Sequence, residues 1–331
     1  MAPIRIPHAP VIEHDIPGRR AWHRDGVTAA DWTVPVPPAC VDEMERAIAQ
    51  PRPSSIEAIR PDRHALVACA ALMERVRQKL VDGPGIAVVD RVPVERYAAD
   101  DAKAIGWILA SLLGRIVAQK WDGTRLYDVK DSGRALGYGV RRSVTNLEQP
   151  FHTDGPWLWQ PPAFVGLFCL ATARAGGESR VTSLVSAHNA MRARHGRLLD
   201  RLYAPFHWDR QAEHGADDAR WATHPVFAAD GGALTARYYD DYIANGQRFA
   251  GEPLDAEGTD ALAALREIVD APEHWVEFRI EQGQLQYLNN RQVAHSRTAF
   301  RDAQEPGNIR HMLRLWNREE GTLHVDGQIT A

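Results

Sequence analysis

Gln284-Leu285-Gln286-Tyr287-Leu288-Asn289-Asn290 is an apolar, strand-like run that leads straight into Val293-Ala294-His295, and its reading decides the fold. Runs of the same kind recur beyond Gly114, at 116–118, 164–170, 180–185, 276–280 and 312–316, each short and broken from the next by Gly, Pro, Asn or Asp. That punctuation belongs to an antiparallel β fold. Helical periodicity interrupts it at 186–202 and 255–269. The segment between them, 205–253, is rich in Asp, Gly and His and reads as an insertion of loops or hairpins.

Upstream of the β-rich part the pattern is helical. Leu66, Ala70, Met73, Val76 and Leu80 recur at spacings of three and four, predicting a helix over 62–80 behind Pro61. The apolar run 85–90 suits a buried strand, and 94–113 predicts a second helix with Tyr97, Ala102, Ile105, Leu109 and Leu112 on one face. Residues 1–60 hold many of the 21 prolines, so they are expected to form a Pro-rich extension packed on the core. The remainder, 61–331, reads as one domain, mainly β with flanking helices.

Composition narrows the function classes. The chain has 331 residues, 44% hydrophobic and 25% charged, which is ordinary for a globular protein and unlike a disordered, collagenous or coiled-coil chain. A net charge of −4 with no long run of one sign offers no electrostatic footprint for nucleic acid or an anionic membrane. The longest nearly uncharged stretches, 105–113 and 164–173, are far shorter than the roughly 20 residues that span a bilayer. Three widely separated cysteines and an N-terminus without an apolar signal core lead to the expectation of a cytoplasmic protein.

Most of the fourteen histidines stand alone, but Phe151-His152-Thr153-Asp154-Gly155 is different. On a strand or strand end, residues i and i+2 point to the same side, so His152 and Asp154 can present an imidazole and a carboxylate to one ion. A third ligand must come from elsewhere, and His295 closes the strand-like run quoted above. Two histidines and one carboxylate on one face of an ion leave the opposite face open, the arrangement used by non-haem Fe(II) oxygenases.

Four segments then carry a resemblance, in order: His152-Thr153-Asp154, Ala175-Gly176-Gly177-Glu178-Ser179, the stretch from Asn289 through His295 to Phe300, and Arg310-His311-Met312-Leu313-Arg314-Leu315-Trp316. Together they resemble the taurine dioxygenase-like family of Fe(II)/2-oxoglutarate oxygenases, over roughly 85–316. The resemblance implies a double-stranded β-helix, or jelly roll, with His152, Asp154 and His295 as catalytic iron ligands. It also implies 2-oxoglutarate as co-substrate, chelating through its C1 carboxylate and keto oxygen, with O2 taking the remaining site. In the family an Arg some fifteen residues after the distal His grips the far carboxylate; here 310 − 295 = 15 selects Arg310. Arg suits that task because its planar fork binds a carboxylate bidentately and stays charged. The family's hydroxyl partner, a Thr, falls on Ser179, and Arg314 matches a second basic residue near the C1 carboxylate.

The carboxylate at position 154 also implies oxygenation rather than halogenation, because related halogenases carry Ala or Gly there. The expected reaction converts 2-oxoglutarate to succinate and CO2 and hydroxylates an unactivated carbon of a small molecule, such as an amino-acid derivative or a natural-product intermediate. Position relative to the His-x-Asp motif nominates Tyr138, Asn146, Trp157 and Trp159 as substrate-binding, with Arg134, Arg141 or Arg142 available for a substrate anion. The alternative is a Zn(II) hydrolase or a metal- or ligand-binding jelly-roll module, which has no need of a dicarboxylate clamp beside the metal.

Overall fold

The apolar runs pair into two sheets, and the alternation of their side chains decides what each face meets. In the computed structural model, which describes residues 10–303 and 309–326, the larger sheet has the order Thr33–Pro35, Ile86–Asp90, Leu285–Asn289, Phe164–Ala171, His311–Arg318, Arg115–Ile116, with Tyr127–Val129 also paired to His311–Arg318. The smaller sheet runs Trp275–Phe278, Ser179–Ser183, Val293–Arg297, Gln149–His152. Its pairs are all antiparallel.

Residues two apart share a face. On the outer face of the larger sheet Phe168, Leu285, Tyr287, Leu313 and Leu315 pack with the helices Val67–Val81 and Ala99–Leu113. The intervening Ile86, Val88 and Leu288 turn inward and meet Val181, Val276 and Val293 of the smaller sheet. The same alternation puts Arg314 and Trp316 on the inward face while Leu313 and Leu315 face the helices. A second apolar cluster joins the helices Leu184–Tyr203 and Ala256–Asp270 to Phe151 and Ala294 of the smaller sheet. This is the two-sheet, helix-flanked architecture expected of a double-stranded β-helix.

Three expectations differ locally from what forms. Helix 62–80 begins only at Val67, because Asp62 instead closes a turn, accepting from His64 N at 2.9 Å and from Ala65 N at 3.1 Å. The orphan amides of that helix are met by buried Glu43, whose two oxygens accept from Ala68 N and Cys69 N, each at 2.9 Å. Helix 94–113 splits into a single 3-10 turn, Val94–Arg96, and the helix Ala99–Leu113. The segment 205–253 contains two hairpins, Pro205–Asp209 with Trp221–Pro225 and Phe227–Asp230 with Ala233–Ala236, and then a helix, Asp240–Ala250, in place of the expected loops or hairpins.

Of the N-terminal segment, residues 1–9 lie outside the described residues. Trp22 and Trp32 are buried against the inward cluster, the Trp22 indole donating to Pro84 O at 2.8 Å, and Thr33–Pro35 joins the edge of the larger sheet. No helix among the described residues is long and apolar enough to cross a membrane.

Candidate active site

Strand pairing places His295 directly opposite His152, at the end of the strand Gln149–His152. Asp154 follows two residues later, past the end of that strand. The potential ligand atoms of His152, Asp154 and His295 lie within 4.8 Å of one another, and all three residues are buried. His152 Nδ1 donates to Pro150 O at 2.9 Å, since a carbonyl can only accept. That fixes the tautomer and leaves the Nε2 lone pair facing Asp154 and the amide of Gln149, which donates to it at 2.8 Å. Such an orienting bond behind the ligating nitrogen is what metal-bound histidines require.

Asp154 is held through both backbone and side chain. Asn290 accepts from Asp154 N at 2.7 Å and donates to Asp154 O at 2.9 Å. Trp316 Nε1 donates to Asp154 Oδ2 at 2.8 Å, Arg314 Nη1 lies 3.4 Å from the same oxygen, and Oδ1 faces His152 Nε2 at 3.4 Å. Burial works against the charged carboxylate, but the Arg314 guanidinium outweighs it, holding the carboxyl well below its usual range. Burial and the neighbouring His152 pull His295 down to about 3, so it stands neutral with a free lone pair. Two imidazoles with one carboxylate are a donor set that fits a divalent iron.

The same cavity continues to Ser179, Arg310 and Arg314. Ser179 Oγ donates to Gln286 Oε1 at 2.8 Å. Arg310 is 4% exposed and its Nη1 has no partner among the described residues. Burial lowers its pKa to about 10, which leaves the guanidinium charged at neutral pH. A buried cation with an unmet donor is costly unless a ligand anion pairs with it, so the observation fits a carboxylate at this end of the cavity. Arg314 is more constrained: its Nε donates to Gln119 Oε1 at 2.7 Å, its guanidinium lies over Tyr127 and Trp316, and Nη2 has no partner among the described residues. The loop carrying Ser179 needs glycine at 176, where φ is +75° and a Cβ would sit 2.1 Å from Ala299 O. Ala175 and Gly176 pair with Arg301 and Phe300 in a short two-stranded ladder just before the strand that begins at Ser179.

On the substrate side the placement of the nominated residues is uneven. Tyr138 lines a cavity of about 460 Å3 together with Arg142, Tyr239, Tyr242, Asn245 and Arg248. The Tyr239 ring stands between this cavity and the triad, its centroid 5.2 Å from that of His152. Asn146 is exposed, with its carbonyl accepting from Phe300 N. Trp157 is buried in the apolar core against Tyr242, and Trp159 is half-buried with its carbonyl accepting from Arg237. The two tryptophans do not share the face of an extended strand, because Gly155 (φ +61°) starts a turn closed by Leu158 N to Gly155 O at 3.0 Å.

Among the three arginines, Arg134 is exposed and Arg141 is committed to a buried pair with Glu213 at 2.7 Å. Arg142 alone reaches the cavity beside Tyr239. Sequence reasoning assigned no role to Gln149, Tyr239, Asn290 or Trp316. Asn290 and Trp316 fall inside the motifs that carry the resemblance, which is the one signal that pointed at them.

Comparison with known proteins agrees with this geometry. The family model described as taurine catabolism dioxygenase TauD, TfdA family matches residues 54–316. The FR-33289 synthase of Streptomyces rubellomurinus is 27% identical over 320 residues, covering 94% of this chain and 93% of its own. The taurine hydroxylase-like protein SAT17 of Stachybotrys chartarum is 24% identical over 277 residues, covering 77% of this chain and 66% of its own. Among solved structures, an asparagine oxygenase in complex with Fe(II), 2S,3S-3-hydroxyasparagine and succinate superposes with a TM-score of 0.67 at 19% identity, over 86% of this chain and 93% of that one. The non-heme iron oxygenase OrfP, in complex with Fe and alpha-ketoglutaric acid, gives 0.62 at 16% identity, over 87% and 94%. With its fold shared by those structures and its family model spanning most of its length, the chain belongs to the TauD/TfdA dioxygenase family.

Proposed function

We propose that His152, Asp154 and His295 hold Fe(II), that Arg310 and Ser179 grip the far carboxylate of 2-oxoglutarate, and that the enzyme hydroxylates an unactivated C–H bond of a small molecule, an amino-acid derivative or natural-product intermediate. The observation that carries this reading is the buried, unmet Nη1 of Arg310 in the same cavity as the triad. When bound, iron, 2-oxoglutarate and O2 supply the oxidative chemistry, releasing succinate and CO2. The residues of the chain supply the rest. Pro150 O orients His152, and Trp316, Arg314 and Asn290 fix Asp154. The sheets exclude bulk water, since every ligand residue is buried. Substrate enters through the cavity of Tyr138, Arg142 and Tyr239, whose ring abuts His152, so that a target carbon is presented on the open side of the triad. Three free, buried thiols support a reducing, cytoplasmic setting.

The test of the reaction is succinate formation from 2-oxoglutarate by the Fe(II)-loaded enzyme, raised by a hydroxylatable small molecule. Hydrolysis by the Zn(II) form without consumption of 2-oxoglutarate contradicts it.

The two adjacent arginines give a sharper test of the substrate side. Removing one partner of a buried ion pair typically costs about 3–5 kcal/mol, so Arg141→Ala is expected to lower the denaturation midpoint strongly. Arg142→Ala is expected to keep the midpoint and the binding of 2-oxoglutarate while raising the KM of the small-molecule substrate. Equal loss of stability in both variants, with substrate KM unmoved in Arg142→Ala, removes Arg142 from the substrate wall.

A further inference from the structure

Asp154 carries two oxygens, and the structure treats them differently. Oδ2 accepts the indole N–H of Trp316 at 2.8 Å with Arg314 Nη1 at 3.4 Å, whereas Oδ1 is turned to His152 Nε2. Trp316 is 1% exposed and Asp154 4%, so this bond is shielded from water. An indole can only donate, and its donor direction is set by the ring, so the bond dictates which oxygen is engaged. The ring in turn is set by strand register: Trp316 pairs with Val165 in the larger sheet and its inward direction follows from the alternation that sends Leu315 to the helices. Arg314, held by Gln119 and stacked on Tyr127 and Trp316, supplies charge to the same oxygen.

Resting on the proposed function, we propose that Trp316 is a positioning residue that makes Asp154 a one-oxygen ligand. With Oδ2 engaged by the indole, Oδ1 would be the oxygen offered to Fe(II). The coordination position that a two-oxygen carboxylate takes is thereby reserved for 2-oxoglutarate. Arg314 alone does not do this, because its nitrogen lies 3.4 Å from Oδ2, where the indole lies at 2.8 Å. Charge-assisted bonds of this kind are the stronger class, and partners behind a metal ligand typically change affinity by about 10–100-fold when removed.

The test uses the full chain, with Trp316→Phe to remove the donor and keep an aromatic ring, and Leu315→Ala as a control for lost packing on the opposite face of the same strand. Fe(II) affinity is read by anaerobic equilibrium dialysis, and 2-oxoglutarate affinity by the visible charge-transfer band of the anaerobic Fe(II) complex. Trp316→Phe is expected to keep Fe(II) binding, because the freed second oxygen replaces the lost indole partner, and to lose affinity for 2-oxoglutarate. Leu315→Ala is expected to lower the melting temperature and leave both affinities in place. Unchanged affinities in Trp316→Phe, with only a lower melting temperature, overturn the positioning role.

Should Trp316→Phe fail to fold, indole 15N spectra of the wild-type protein with and without Zn(II) decide the matter. A Trp316 N–H that stays protected from exchange on metal loading supports the proposal. One that loses protection, because Oδ2 has turned to the metal, overturns it. A wild-type protein that forms no Fe(II)·2-oxoglutarate complex removes the functional reading and this inference with it, whereas a normal wild-type complex with an unaffected Trp316→Phe removes this inference alone.

Discussion

Asp154→Ala is expected to abolish substrate hydroxylation, to weaken Fe(II) binding by more than the roughly 10–100-fold typical of partners behind a ligand, and to destabilise the metal-free protein. The first two effects follow from the loss of a donor atom. The third follows from what Asp154 neutralises. Its Oδ2 faces Arg314 and accepts from Trp316, and both residues are buried, so alanine leaves a charged guanidinium and an indole N–H without their acceptor. Stranding one member of a buried pair typically costs about 3–5 kcal/mol. Chemical denaturation of the metal-free variant beside an anaerobic Fe(II) titration measures the two consequences separately. Retained Fe(II) affinity and turnover would place the metal elsewhere.

Arg310→Ala is expected to act on the co-substrate alone. Truncating one partner of a buried, hydrogen-bonded charge pair costs about 2–5 kcal/mol, equivalent to roughly 30- to several-thousand-fold in affinity for 2-oxoglutarate. Fe(II) binding is expected to stay nearly intact, since the contacts of Arg310 are with Asp302, through its backbone N–H, and with the Phe300 ring, not with the triad. Arg314→Ala is the contrast: because Arg314 touches Asp154, its loss is expected to disturb iron first. Titrations in which Arg314→Ala loses 2-oxoglutarate while Arg310→Ala keeps it would move the clamp by one turn of the motif.

The parts of this site that are legible in the sequence are those set by local spacing or by the family resemblance. His152 and Asp154 are two residues apart, and the runs ending at His295 and Trp316 are strands because their apolar positions say so. The parts that are not legible depend on contacts between distant segments. Trp316 and Asp154 are 162 residues apart, and Asn290 and Asp154 are 136 apart, so nothing in either local pattern announces that they bond. Trp157 and Trp159 show the opposite failure. Their spacing suits one face of a strand, but Gly155 turns the chain before the strand can continue, and Trp157 goes to the core against Tyr242. The helix Asp240–Ala250, which brings Tyr242 and Arg248 to the outer cavity, is legible in its spacing, since Tyr239, Tyr242, Ile243, Gly246 and Phe249 recur at intervals of three and four.

If one cavity binds Fe(II) and 2-oxoglutarate together, an anaerobic titration of the purified chain with both reads it. A weak visible charge-transfer band is expected that requires Fe(II) and 2-oxoglutarate at once, saturates at one equivalent of each, and is lost in the His152→Ala, Asp154→Ala and His295→Ala variants. A protein that binds only Zn(II), or whose band survives the removal of all three side chains, would contradict it.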